Sequence, residues 1–270
     1  MHERLDIFRW AGGALLAGAD EVASERPLEI NLNGRSLAVT MRTPGDDEAL
    51  AAGFLYAEGL IRTAADILSM QPCLSSLAPD IGDILMVRLV DDSAGIDAPG
   101  LQRNFVATSS CGMCGKSGLE AARCSAEPLA QLDISVSTST LFSLGEKMRA
   151  GQREFEHTGG LHAAALFDLQ GSLTGLKEDV GRHNAVDKVV GAELLAGRTP
   201  LERMALMVSG RSSFEIVQKA SMARIPILCA VSAPSSLAVK LARDLNITLI
   251  GFLRERSLNI YSAPERVQSG

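Results

Sequence analysis

Residues 204–252 read MALMVSGRSSFEIVQKASMARIPILCAVSAPSSLAVKLARDLNITLIGF. Three short apolar runs stand out: Met204 to Val208, Ile227 to Val231 and Ile247 to Phe252. Each is long enough for a buried strand and too short for a helix, and Ser, Gly or Pro punctuates the chain between them. Ser212 and Glu215 have the spacing of a capping box, which predicts a helix start after the first run. Ser235 or Ser236 caps a second helix, carrying Leu237, Leu241 and Leu245. Strands alternating with helices predict a largely parallel or mixed sheet covered on both faces.

The pattern extends in both directions. Leu161 to Leu169 reads as a strand, Arg182 to Ala196 as a helix with Val186, Val189, Val190 and Leu194 on one face, and Leu258 to Tyr261 as a last short strand. A three-layer α/β/α domain is therefore expected over 130–270. Upstream, Leu28 to Asn33 and Ser36 to Met41 flank Asn33-Gly34, a strong hairpin turn signal. Thr43-Pro44-Gly45 breaks the second strand. Asp46, Asp47 and Glu48 then open a helix, where acidic residues suit the positive end of the dipole. Leu50, Phe54 and Leu55 form its apolar stripe, and Gly59 is its stop. Ile84 to Val90 is a further strand and Ser93 to Gly100 a loop. Residues 21–129 are thus expected to form a smaller β-rich part with a cysteine loop near its end, and residues 1–20 a loosely held arm.

Composition narrows the function. Of 270 residues, 46% are hydrophobic, enough for a full core. The net charge of -6 argues against broad nucleic-acid binding, which needs a basic surface. No apolar run reaches the roughly 18 residues of a membrane helix. Met1 to Trp10 mixes His2, Glu3, Arg4, Asp6 and Arg9, unlike the apolar centre of a signal peptide, so the expected location is the cytoplasm. Cys73, Cys111, Cys114, Cys124 and Cys229 are an odd set in a large chain, not a disulfide framework.

The sharpest chemical signal is Ser109-Ser110-Cys111-Gly112-Met113-Cys114-Gly115. Two sulfurs three positions apart can meet, exchange or share an electrophile, and the glycines keep them accessible. Thiolate is the reactive form, which Lys116 would favour. Two incidental cysteines, a zinc site completed by Cys124 and His162, and a thioredoxin-type pair are the other readings. Zinc lacks its second close pair, and the redox pair would need an early βαβ unit. In Glu178 to Lys188, His183 and Asp187 share a helix face, so Asp187 could orient the imidazole or raise its pKa, and Gly181 allows a ligand near the helix N-terminus. Thr158-Gly159-Gly160-Leu161-His162 is a glycine turn entering a strand. Ser209-Gly210-Arg211-Ser212-Ser213 and Ser232-Ala233-Pro234-Ser235-Ser236 are strand-to-helix corners, where α/β proteins bind phosphates. Phe252-Leu253-Arg254-Glu255-Arg256 adds a base-sized aromatic and two guanidinium groups beyond a strand end.

Together these segments resemble the formate dehydrogenase accessory sulfurtransferase family (FdhD), from about Glu25 to Tyr261. The resemblance is carried by Glu25-Arg26-Pro27-Leu28, Thr43-Pro44-Gly45, Ala52-Gly53-Phe54-Leu55 with Glu58-Gly59, and Ser110 to Gly115. Thr158 to Ala164, Glu178 to Ala185, Ser232-Ala233-Pro234 and Thr248 to Phe252 continue it in order. It implies an α/β/α sandwich resembling cytidine deaminase, without that fold's usual zinc ligands and with no structural metal. It implies a sulfur carrier that accepts sulfur from a cysteine desulfurase as a persulfide and passes it to the Mo/W-bis(molybdopterin guanine dinucleotide) cofactor of formate dehydrogenase. Cys111 is then the carrier and Cys114 its partner. Phe252, Leu253, Arg254, Glu255, Arg256 and Ser257 are then the cofactor-binding stretch, which GDP would occupy as a mimic, and the protein is a homodimer. Two other classes compete: a cofactor chaperone that needs neither cysteine, and a zinc-dependent hydrolase.

Overall fold

The computed structural model describes residues 2–73, 82–91, 105–107, 127–130 and 133–270. The chain opens with β1 (His2–Ala11) and β2 (Ala14–Ala23), an antiparallel hairpin where a loose arm was expected. Leu5, Phe8, Trp10, Leu15 and Leu16 on it are exposed. A second hairpin pairs β3 (Arg26–Leu32) with β4 (Arg35–Arg42). Its turn falls on Asn33 and Gly34, both at positive φ, as the local chemistry demands. Next come α1 (Asp47–Ala57), β5 (Ile67–Pro72), β6 (Asp83–Leu89) and β7 (Phe105–Ala107). Gly59 ends α1 at positive φ, with Gly59 N–H donating to the Tyr56 carbonyl and Leu60 N–H to the Leu55 carbonyl. The smaller sheet has the order β5-β6-β3-β4-β7.

The larger part follows. Its elements are β8 (Val136–Ser137), α2 (Thr138–Gly151), α3 (Arg153–Thr158), β9 (His162–Asp168), β10 (Leu173–Asp179), α4 (Arg182–Leu195), β11 (Met204–Val208), α5 (Phe214–Met222), β12 (Ile227–Ala230), α6 (Ser236–Asp244), β13 (Thr248–Gly251), β14 (Asn259–Ser262) and β15 (Val267–Gln268). The six-stranded sheet runs β10-β9-β11-β12-β13-β14; β11, β12 and β13 are parallel and the others pair antiparallel. The central strands β11, β12 and β13 read as apolar runs because both of their faces are buried. Leu206, Val208, Leu228 and Leu249 enter one core with Val186, Val190, Ile216 and Ala242 of α4, α5 and α6. Phe167, Met207, Cys229 and Ile250 enter a second core with Leu141, Leu144 and Met148 of α2. That alternation makes the three layers. The first core continues through α1 into the smaller sheet, reaching Leu28, Ile30 and Val87. Burial pushes the Cys229 thiol up to about 12, so it is a core residue and not a reactive one.

Several local expectations change. The helix after β11 has Ser213, not Ser212, at its N-cap, without a side-chain capping bond, so the Ser212–Glu215 capping box does not form. Ser235 does cap α6, accepting a hydrogen bond from the Ala238 amide at 3.2 Å. Leu237 of α6 is exposed, and Ala238 and Ala242 take the inward face. The segment Ser93 to Gly100 lies outside the described residues.

Candidate functional site

Cys111, Cys114, Cys124 and Lys116 lie outside the described residues, so the cysteine pair rests on its sequence. The other sequence-marked segments converge on one end of the larger sheet.

The carboxyl ends of the parallel strands open onto a cavity of about 1130 Å³. Ser209 after β11, Val231 after β12, and Leu253, Arg254 and Glu255 after β13 form one side. Phe142 and Arg149 of α2, Phe155 of α3, the turn Gly159-Gly160 and His162 form the other. This is where open α/β sheets bind ligands, because the loops leaving parallel strands splay apart there. Its size is that of a site for a large organic ligand. Glu178 fixes the α3 wall by accepting hydrogen bonds from the Glu154 and Phe155 amides at 3.0 and 2.8 Å. Arg149 lies over the Phe155 ring, 4.2 Å from its centroid.

The stretch from Phe252 to Ser257 splits in two. Leu253, Arg254 and Glu255 line the cavity, whereas Phe252, Arg256 and Ser257 do not. Phe252 has positive φ and is 43% exposed, so its ring turns outward. Arg254 Nη1 donates to the Val231 and Leu253 carbonyls, and its amide donates to the Ser257 carbonyl, which closes the turn.

The stretch from Glu178 to Lys188 also has two jobs. Asp179 is fully buried. It pairs with Lys188 Nζ at 2.8 Å and accepts from the Thr43 and Gly181 amides and from Asn184 Nδ2. Lys188 Nζ also donates to the Thr43 carbonyl. Thr43-Pro44-Gly45 and this stretch are therefore the joint between the smaller sheet and α4. Gly53 and Gly191 complete that joint, since a Cβ at either would lie about 2 Å from the backbone of the facing helix.

The histidine does not meet Asp187. Both Asp187 oxygens accept from Lys219 Nζ, at 2.7 and 2.8 Å, and burial lifts the Asp187 carboxyl to about 6 despite that cation. His183 Nε2 instead sits 3.1 Å from Ser213 Oγ and 3.8 Å from Glu215. Burial, reinforced by the nearby Lys219 and Arg182 charges, holds His183 down to about 4. It is a neutral imidazole at neutral pH. His162 is likewise lowered, by burial and by Arg182. Gly210 is the contact between them: a Cβ there would come within 3.4 Å of His162 Nδ1 and 3.7 Å of Arg182 Cδ.

A stability consequence follows. A histidine whose folded pKa is depressed stabilises the fold fully above its unfolded value near 6.5, and that contribution drains away as pH falls towards 4. The amount is on the order of 3 kcal/mol. Asp187 acts in the opposite sense, since its raised pKa contributes stability that is lost as pH rises through about 6. Because Asp187 is common to both proteins, the difference between the parent and His183→Gln isolates the histidine. Urea melts from pH 7.5 to 4.5 should show a shallower acid loss in the variant. Parallel losses would place the acid sensitivity elsewhere.

The fold is that of a mixed-sheet α/β protein with a cavity at the ends of its parallel strands. Residues 23–268 match the FdhD/NarQ family, and the chain belongs to that family. It is 49% identical to a sulfur carrier protein FdhD of Streptomyces coelicolor, over 98% of this chain and 95% of that one. It is 42% identical to one of Sulfolobus acidocaldarius, over 98% of each chain. A crystal structure of a candidate formate dehydrogenase accessory protein from Desulfotalea psychrophila superposes with a TM-score of 0.77 at 28% identity, covering 99% of each chain.

The α2–α3 wall is the part that sequence reading missed. Leu141, Leu144 and Met148 have the i, i+3, i+7 spacing of a helix and would have found it. Among the described residues no group of three or more His, Cys, Asp or Glu is placed to hold a metal, and none of the helices is long and apolar enough to cross a membrane.

Proposed function

We propose that this protein is a cytoplasmic sulfur carrier for formate dehydrogenase maturation. Cys111 takes sulfur from a cysteine desulfurase and delivers it to the Mo/W-bis(molybdopterin guanine dinucleotide) cofactor. The observation that carries the reading is the family match over nearly the whole chain, with relatives named as sulfur carriers. In the loading step the Cys111 thiolate attacks the terminal sulfur of the donor's persulfide. One S–S bond forms as another breaks, the donor leaves as thiolate, and no outside oxidant is needed. Cys114, three residues on, accepts or releases that sulfur.

The cofactor is the cargo, and the cavity is suited to it. Phe142, Phe155 and Leu253 offer apolar walls for a planar ring, and Arg149 and Arg254 bring positive charge to the rim. Phe252, Arg256 and Ser257 flank the lining residues Leu253 to Glu255 in the chain and belong to the same proposed cofactor-binding stretch. GDP is the mimic for the guanine half of the cofactor. A homodimer belongs to the same reading, and the exposed apolar residues of the first hairpin provide surface for it.

The test is mass spectrometry after incubation with a cysteine desulfurase and cysteine. The parent should gain about 32 Da per sulfur, removed by reductant, and Cys111→Ala should gain none. A cofactor chaperone predicts the reverse: support of formate dehydrogenase with both cysteines replaced. Equal loading of parent and Cys111→Ala would sink the carrier assignment.

A further inference from the structure

The cluster behind the cavity is not accounted for by sulfur transfer. Four backbone pieces meet there: the first residue of β9 (His162), Ser209-Gly210 just after β11, and the N-termini of α4 and α5, since Gly210 faces His162 and Arg182 and His183 Nε2 lies beside Ser213 Oγ. Neither helix has a side-chain cap. Ser213, the residue placed to cap α5, sits beside His183 instead. Among the described residues, Arg182 Nε is sealed from solvent without a hydrogen-bond partner, and so is Ser212 Oγ, one residue before the α5 N-cap, on a residue only 1% exposed. Buried donors without partners are rare in native proteins and call for an explanation. Burial first, and then the Arg182 charge beside them, lowers both imidazoles, so His162 and His183 sit as neutral rings around a guanidinium. Glu215 is the carboxylate nearest His183, but it sits no closer than 3.8 Å and is engaged by Ser213 and its own amide.

We propose that His162, Arg182, His183 and Gly210 form a binding site for a phosphoryl group, at the inner end of the cavity and separate from the segment at Leu253–Glu255. Gly210 lets the backbone approach His162 and Arg182 without a side chain between them. The α4 and α5 amides and Arg182 are the donors, since helix N-termini and guanidinium groups both suit phosphate. His162 is shared by this cluster and the cavity wall, so one ligand can reach both. The inference rests on the dinucleotide reading given above and adds to it an orientation: pyrophosphate inward at His162, base outward at Leu253 to Glu255.

Inorganic pyrophosphate is the probe, and the chain supplies its own control. It has four histidines, His2, His157, His162 and His183. His2 and His157 stack on each other and pair with Glu154 and Glu21, not with Arg182 or His183. In imidazole nitrogen NMR of the parent protein, pyrophosphate should shift His162 and His183 and leave His2 and His157 in place. Calorimetry should show Arg182→Gln binding pyrophosphate at least tenfold more weakly, with a thermal melt confirming that it is folded. Shifts confined to His2 and His157, or no shifts, overturn the site without any variant. GDP separates this inference from the reading beneath it. If GDP fails to bind the parent while pyrophosphate still moves His162 and His183, the phosphoryl site stands and the guanine reading falls. If GDP binds parent and Arg182→Gln equally and pyrophosphate moves neither histidine, the guanine reading stands and this site falls.

Discussion

Gly191→Ala is expected to destabilise the protein by about 3 kcal/mol or more, through one added methyl group. A Cβ at position 191 would lie 1.9 Å from the Ala49 carbonyl oxygen and 2.6 Å from the Gly53 amide nitrogen. These are backbone atoms of α1, so no side chain can swing away to make room. The helices must separate, and separation opens the core that both sheets share around Leu50, Leu55, Val186 and Val190. The ordinary preference of helices for alanine over glycine, about 1 kcal/mol, is overwhelmed. Gly145→Ala is the control. That glycine lies inside α2, and a Cβ there meets Met207 Cε at 3.6 Å, an ordinary contact. It should hold or raise the melting temperature. Similar melts for the two variants would mean that α1 and α4 are not in backbone contact.

Lys188→Met carries the next largest effect. Lys188 and Asp179 are almost sealed from solvent, with side-chain exposures of 2% and 0%. Removing one partner leaves a buried carboxylate without its countercharge, which typically costs 3–5 kcal/mol, about the same as a large cavity in the core. Lys188→Met with Asp179→Asn should recover part of the loss, because the amide needs no cation. It can still accept one of the hydrogen bonds from Thr43, Gly181 and Asn184. Chemical denaturation of the parent, both single variants and the double would measure the coupling. A single-variant cost below about 1 kcal/mol would show that water reaches the pair.

What could be read from the sequence was what is local. The Asn33-Gly34 turn, the Gly59 stop and the Ser235 cap depend on two to six neighbouring residues, and each formed where expected. The apolar runs of β11, β12 and β13 were legible because a strand buried on both faces has no polar interruptions. The edge strand β10, Leu173–Asp179, was missed for the opposite reason. It lies at the border of the sheet, mixes Thr174, Lys177 and Glu178 into a short run, and carries a register shift by Gly175. Pairings between distant elements were hidden. His183 and Asp187 do lie on one helix, but spacing says nothing about Lys219, which arrives from α5 and takes the carboxylate. The strand-to-helix corners marked the end of the sheet where the cavity lies. That Phe252 would face away from it was not legible, because that depends on a single positive φ.

Cys229 turns the centre of the protein into a clock. Its thiol is fully buried on β12 and held protonated by burial. An alkylating reagent can reach it only when the middle of the sheet opens. The time course of its modification therefore follows the opening of the most protected strands. Labelling faster than that belongs to cysteines elsewhere in the chain. The sheet thus reports its own unfolding through a native residue, on a timescale well separated from the chemistry of an accessible thiol.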